Sequence, residues 1–128
     1  MYVLDIPSRV WRSLPAFPTG TTYYHTVALY RDYIYTFAGY SKTTNNALYR
    51  YDIRNSQWER IFHEGDVPEP RNFHSANIIG EKMYVFGGFT SLSNYSNDLY
   101  RLTLGNEVTF KYNSKIRQLY DVVFHHWV

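Results

Sequence analysis

The sequence predicts an all-β fold built from repeated four-stranded sheets, and three observations carry that prediction. The stretch Met83-Tyr84-Val85-Phe86-Gly87-Gly88-Phe89 has an upstream counterpart in Tyr33-Ile34-Tyr35-Thr36-Phe37-Ala38-Gly39-Tyr40, with Gly39 and Gly88 standing 49 residues apart. The flanking text repeats too: Tyr24-His25 matches Phe73-His74 at the same step, and Leu48-Tyr49-Arg50-Tyr51 matches Leu99-Tyr100-Arg101-Leu102 at a step of 51. The residue types are strand formers, with 14 Tyr and 8 Phe, and no long 3.6-residue periodicity precedes the C-terminal segment. Self-similarity near 50 residues with strand-like content is the signature of a propeller blade.

The elements follow in order. Residues 1–14 read as the second half of a blade, because Tyr2, Asp5, Trp11 and Leu14 lie 47 residues before Tyr49, Asp52, Trp58 and Ile61 without a gap. Tyr2–Asp5 is a third strand, Ile6-Pro7-Ser8 a turn and Val10–Leu14 a fourth strand. Pro15–Thr22, with two prolines and a glycine, is a loop. A complete blade then occupies residues 15–63, with strands near 24–30, 33–39, 47–53 and 57–62. Arg31-Asp32 is a tight hairpin, Asn45-Asn46 closes a longer loop, and Arg54-Asn55-Ser56 turns the third strand into the fourth. His63–Arg71 is an inter-blade loop carrying Gly65, Pro68 and Pro70.

The second blade, residues 64–113, repeats the plan at 73–79, 82–88, 98–104 and 107–112, with Gly80-Glu81 and Gly105-Asn106 as hairpin turns and Thr90–Asn97 as the long loop. Strand two of each blade is expected along the central channel, where its terminal glycines permit close backbone approach and positive φ. Trp58 is expected to fill the gap between blades. Its counterpart Phe110 falls one residue late, which calls for a β-bulge or a longer turn. In the tail, residues 114–128, Ile116, Leu119, Tyr120, Val123, Phe124 and Trp127 share one face of a helix, so a short amphipathic helix over a blade face is expected. Because Val122 and Val123 also suit a strand, a strand-like or unstructured end is the alternative.

Paired glycines after an apolar strand, a following Tyr and a Trp several residues later resemble kelch repeats, over residues 2–112. The second repeat matches best, through Pro70-Arg71, His74, Tyr84, Gly87-Gly88 and Asn97-Asp98-Leu99-Tyr100. The first departs in three places: Ala38 replaces a glycine, Thr22 stands where Arg71 does, and Ala47 stands where Asp98 does. The resemblance implies an incomplete propeller, since such rings have roughly five to seven blades. A blade buries its faces only against neighbours. The leading expectation is a piece of a longer propeller, ahead of a ring closed by copies of the chain and of an open fan.

Composition narrows the function. Forty-five per cent hydrophobic residues exclude a disordered chain. A net charge of +2 from scattered basic residues gives no nucleic-acid footprint. With zero cysteines there are no disulfides, thiolate metal sites or cysteine nucleophiles. Some kelch-like propellers resemble galactose oxidase, whose copper site needs a Tyr–Cys crosslink, and that chemistry is excluded. Met1 is followed by Asp5, Pro7 and Arg9 rather than an apolar core, so a cytoplasmic protein with no membrane contact is expected. His125-His126 would point to different faces and cannot easily share a metal, and His25 with His74 recurs once per blade, as packing residues do. No catalytic residue, cofactor or metal is assigned.

What remains is surface. The loops joining strands two and three should share a face with the inter-blade loops, gathering Tyr40, Lys42, Thr43 and Asn45, then His63, Glu64 and Arg71, then Phe89, Ser91, Asn94 and Tyr95. Mixed aromatic, amide and arginine groups on rigidly supported loops suit recognition of a protein or peptide. The expected function is a non-catalytic protein-binding module. The resemblance implies a scaffold or ubiquitin-ligase substrate-adaptor role, with self-association through open blade faces as a further expectation. The alternatives are part of a propeller lyase or isomerase and a self-assembling structural module.

Overall fold

The computed structural model describes residues 1–104 and the backbone of residues 109–112. It is all-β: an N-terminal hairpin of β1 (Tyr2–Asp5) and β2 (Val10–Ser13), then two blades. The first blade is β3 (Thr26–Tyr30), β4 (Tyr33–Ser41), β5 (Thr43–Asp52) and β6 (Gln57–Ile61), antiparallel in sequence order. Short strands β7 (Glu64–Gly65) and β8 (Arg71–Asn72) lie in the inter-blade segment. The second blade is β9 (Ser75–Ile79), β10 (Lys82–Thr90), β11 (Tyr95–Thr103) and β12 (Thr109–Tyr112), with β8 pairing beside the end of β10 and β7 joining β12 in parallel. The tail in which a helix was expected, the pair His125-His126 and the Gly105-Asn106 turn lie outside the described residues.

The core sits between the blades, because one face of each sheet has no other apolar surface to meet. Tyr35, Phe37, Leu48 and Ile61 of the first blade pack with Met83, Val85 and Leu102 of the second. Phe37, Leu48, Val85 and Leu102 are wholly excluded from solvent. Burying such side chains stabilises by about 1.5–3 kcal/mol each. Alternation explains the pattern: along β10, Met83, Val85 and Gly87 are buried while Tyr84 and Phe86 face the other way and are half-buried.

The repeated glycine positions mark a bulge. Register shifts between Phe37 and Gly39 in β4 and between Phe86 and Gly88 in β10. At each bulge two successive residues have positive φ: Ala38 at 56° and Gly39 at 99°, Gly87 at 66° and Gly88 at 99°. The other repeated landmark, an aspartate six residues before a tryptophan, caps a turn. Asp52 Oδ1 accepts hydrogen bonds from the amides of Arg54 (2.9 Å) and Asn55 (3.0 Å), and Asp5 Oδ1 accepts from the Ser8 amide at 2.8 Å. Both turns end on a positive-φ residue, Arg9 at 59° and Ser56 at 55°.

Four expectations need correction. The channel-side strand is strand one, not strand two: β3 and β9 form the inner edges and meet each other, while β4 lies between β3 and β5. The predicted 40–46 loop is strand, since Gly39↔Asn45, Tyr40↔Thr44 and Ser41↔Thr43 stay paired around a one-residue tip at Lys42 (φ 63°). In the second blade the corresponding loop shrinks from 90–97 to the residues between Thr90 and Tyr95. Trp58 does not wedge between the two blades. It packs edge-on against Phe17 at 4.8 Å and donates from Nε1 to Pro15 O at 3.2 Å, clamping the segment that enters the blade. The late position of Phe110 involves no bulge in its ladder: Tyr51↔Trp58 and Leu102↔Phe110 are equivalent pairs, and neither ladder shifts register.

Candidate functional site: the loop-bearing face

Strand direction places the β4–β5 tip, the β10–β11 loop and the inter-blade segment at one end of both sheets, and with them the residues singled out from sequence. Tyr40 is exposed and forms an antiparallel bridge with Tyr23. Lys42 and Thr43 are exposed at the hairpin tip. Asn45 is half-buried and serves the bulge, donating from Nδ2 to Gly39 O at 3.1 Å and accepting from the Ala47 amide at 3.0 Å. His63 is half-buried with Nε2 3.0 Å from Asn46 O. Glu64 is exposed on β7. Phe89 and Tyr95 pack edge-on at 5.1 Å, and Tyr95 remains 85% exposed. Ser91 is exposed, and Asn94 Oδ1 accepts from the Thr90 hydroxyl.

Arg71 leaves the surface set, because it has no solvent exposure at all. Its Nη1 donates to Gly87 O at 2.8 Å and its Nε to Glu69 O at 3.1 Å, with the guanidinium 5.3 Å from the centre of the Tyr100 ring. Burial pulls its pKa down, opposed by Tyr100, Asp98 and Glu69. Arg71 is a cross-link inside the blade junction. His74, beside it, is also buried and shares a 2.8 Å hydrogen bond from Nε2 with Thr26 Oγ1 of the first blade. Burial first and the Arg71 charge second lower its pKa to about 4, against a hydrogen bond with the Phe37 backbone. Burial also lowers the pKa of His25.

The face is more aromatic than the loop reading indicated. Tyr24 and Phe73, equivalent residues just before each repeated histidine, stack across the junction at 4.2 Å with Tyr23 beside Tyr24 at 6.1 Å. Tyr24 is 54% and Phe73 63% exposed, and Phe62 and Leu92 are exposed as well. Tyr24 (φ 58°) and Phe73 (φ 56°) sit in left-handed backbone conformations, which cost roughly 1–2 kcal/mol for an L-residue. The structure therefore holds two large rings outward at the start of the inner strands, at the expense of strain. The signal was present in the repeated Tyr24-His25 and Phe73-His74 pairs, but strand alternation alone gives no left-handed residue at that point.

Two hollows open on the outward face of the first blade, on either side of Phe17. One, of about 360 Å³, is lined by Met1, His25, Val27, Ile34 and Trp58. The other, of about 510 Å³, lies beneath the β4–β5 tip and includes Thr22, Lys42, Asn45 and Arg60. Among the described residues no group of three His, Asp or Glu is placed to hold a metal ion.

Comparison with known proteins agrees with this architecture. The family model of the KLHDC2/KLHL20/DRC7 Kelch-repeats domain matches residues 1–126. Kelch domain-containing protein 3 of Bos taurus is 35% identical over 83 residues, covering 62% of this chain and 22% of that protein. The leucine-zipper-like transcriptional regulator 1 homolog of Drosophila melanogaster is 38% identical over 78 residues, covering 57% of this chain and 8% of the relative. Host cell factor 2 of Homo sapiens is 38% identical over 56 residues, covering 44% and 7%. The chain thus spans about a fifth or less of these relatives. With that family model matching residues 1–126, nearly its whole length, the chain belongs to the kelch-repeat family.

Proposed function

We propose that the chain is a protein-recognition module that binds through its loop-bearing face, with the Tyr24–Phe73 ring stack as the anchor. The carrying observation is that two exposed rings are held against each other by strained backbone at equivalent points of both blades. Rigid, outward-facing aromatics give contact area at low conformational cost, as interface anchors do. Binding rather than catalysis is favoured because two of the histidines near this face are engaged in structure, His74 with Thr26 and His63 with Asn46 O. The finer reading is a recognition part of a larger cytoplasmic scaffold or adaptor protein.

The test is selection of peptides from a displayed library on the whole chain. Selected peptides should bind the wild type and bind a Tyr24→Ala, Phe73→Ala double variant about tenfold or more weakly, at unchanged circular dichroism. Peptides that bind both proteins equally refute the assignment. A second reading, self-association, has its own observation in the mainly apolar 360 Å³ hollow on the first blade. Light scattering that shows a defined oligomer, lost in Val27→Asp, favours it.

A further inference from the structure

We propose that the hollow beneath the β4–β5 tip is an anion site for a phosphomonoester, the phosphoserine or phosphothreonine side chain of a protein partner. This deepens the recognition reading and rests on it. The argument compares one place in the two blades. In the second blade the space is filled by the protein's own cation, with Arg71 donating to Gly87 O over the Tyr100 ring and Asp98 supplying the opposing charge. In the first blade Thr22 stands where Arg71 does, Ala38 where Gly87 does and Ala47 where Asp98 does, while Tyr49 keeps the place of Tyr100. All four line the 510 Å³ hollow, so the arginine's volume is vacant there.

Its charge is inverted as well. The second-blade slot sets one cation against two carboxylates, those of Asp98 and Glu69. The first-blade hollow is lined by two cations, Lys42 and Arg60, and by no Asp or Glu. These cations are particular to this blade: Ser91 occupies the Lys42 position, and Tyr112, paired with Tyr100 as Arg60 is with Tyr49, occupies the other. Arg60 lies over the Phe62 ring at 5.3 Å, and neither cation has an ion-pair partner among the described residues. Thr19 and Thr22 share a 3.3 Å hydroxyl contact, which leaves one of their two protons for a third acceptor. Two positive charges and a hydroxyl donor match a phosphomonoester dianion, whereas a carboxylate leaves one cation uncompensated.

The test titrates the whole chain with a peptide bearing one phosphoserine, its unphosphorylated and glutamate versions, and inorganic phosphate, read by amide chemical shifts. The phosphopeptide should shift residues around Thr22 and Lys42, bind at least about fivefold more tightly than the glutamate version, and weaken with salt. Lys42→Ala and Arg60→Ala should each weaken it about fivefold. The double change Thr22→Arg, Ala47→Asp, which restores the cation together with the carboxylate that balances it in the second blade, should abolish it. A stronger response to the phosphopeptide than to phosphate assigns the dianion to a protein side chain, and equal responses assign it to free phosphate. The Tyr24→Ala, Phe73→Ala variant should still bind inorganic phosphate, so failure of the aromatic anchor and failure of this site are separable. Equal binding of the glutamate and phosphoserine peptides, no binding of either anion, or full binding by the Thr22→Arg, Ala47→Asp variant overturns the proposal.

Discussion

Gly88→Ala tests the bulge that joins the blades. A Cβ on Gly88 would lie 2.7 Å from Asn72 O and 2.9 Å from His74 Cβ, on a backbone at φ 99°. Asn72 O is main chain in β8, whose pairing with β10 places Arg71 and His74, so the neighbour cannot swing away. Left-handed strain of at least about 2 kcal/mol adds to an overpacking cost of about 1–3 kcal/mol, for a total near 3–5 kcal/mol. That is a large part of a typical domain's stability. Gly87 differs: its Cβ would meet only Ser96 O at 3.1 Å, at φ 66°. Gly87→Ala should cost about 1–2 kcal/mol. The first blade already carries Ala38 at that place with φ 56°. Urea unfolding followed by tryptophan fluorescence should rank Gly88→Ala far below Gly87→Ala. If the two variants unfold at the same midpoint, or Gly87→Ala is the worse, close backbone approach is not what fixes the glycine and the reasoning fails.

Four further outcomes concern single side chains. With the His74 pKa at about 4 when folded and 6.5 when unfolded, stability is complete above pH 6.5 and is lost as pH falls toward 4. The loss reaches up to about 3 kcal/mol, and His74→Gln should flatten a plot of urea midpoint against pH over that window. Arg71→Ala removes a wholly buried cation and leaves Gly87 O without its donor, so thermal melting should report about 3 kcal/mol of destabilisation, only partly recovered by Arg71→Met. Trp58→Phe keeps ring contact with Phe17 but loses the Pro15 O bond, costing about 1 kcal/mol by the same measurement. By contrast, Arg31→Ala should change stability by less than about 0.5 kcal/mol, because the Arg31–Glu81 pair between the two hairpin turns is solvent-exposed on both sides.

Much of the architecture was legible because a blade is read twice. A spacing shared by two copies locates β4 with β10 and β5 with β11 without reference to any other protein, and the gap-free match of Asp5 and Trp11 to Asp52 and Trp58 locates the N-terminal hairpin. What the repeat could not show was three-dimensional order. Sequence alternation does not say which edge of a four-stranded sheet faces the axis, and the repeated glycines point to strand two where the sheet order puts β3 at the edge. Nor does residue type reveal that Thr43-Thr44-Asn45 continues a ladder beyond a bulge: four polar residues, Thr43 to Asn46, before an alanine read as loop, while the backbones of the first three pair back to Ser41, Tyr40 and Gly39. Arg71 was misplaced for a related reason. An arginine in a proline-rich loop is ordinarily solvated, and only the carbonyls of Glu69 and Gly87 converging on it make burial tolerable.

The three departures of the first repeat are one structural fact. Thr22, Ala38 and Ala47 are scattered over 26 residues of sequence, yet all three line a single hollow. Two of the changes remove something the buried arginine of the second blade depends on, the side chain itself and a carboxylate that opposes its charge, while Ala38 keeps the carbonyl and adds a methyl group. Without the guanidinium, the balancing charge has no role. The strain of Ala38 at positive φ is retained, which bears on how the slot was emptied. Ala38→Gly alone should relieve about 1–2 kcal/mol of left-handed strain against roughly 0.5–1 kcal/mol of backbone entropy, leaving stability near or slightly above the wild type. The combination Thr22→Arg, Ala38→Gly, Ala47→Asp should exceed the sum of its single changes in melting temperature, because the groups act on one another. Strict additivity would mean that the three positions do not form one site, and the comparison between blades would lose its force.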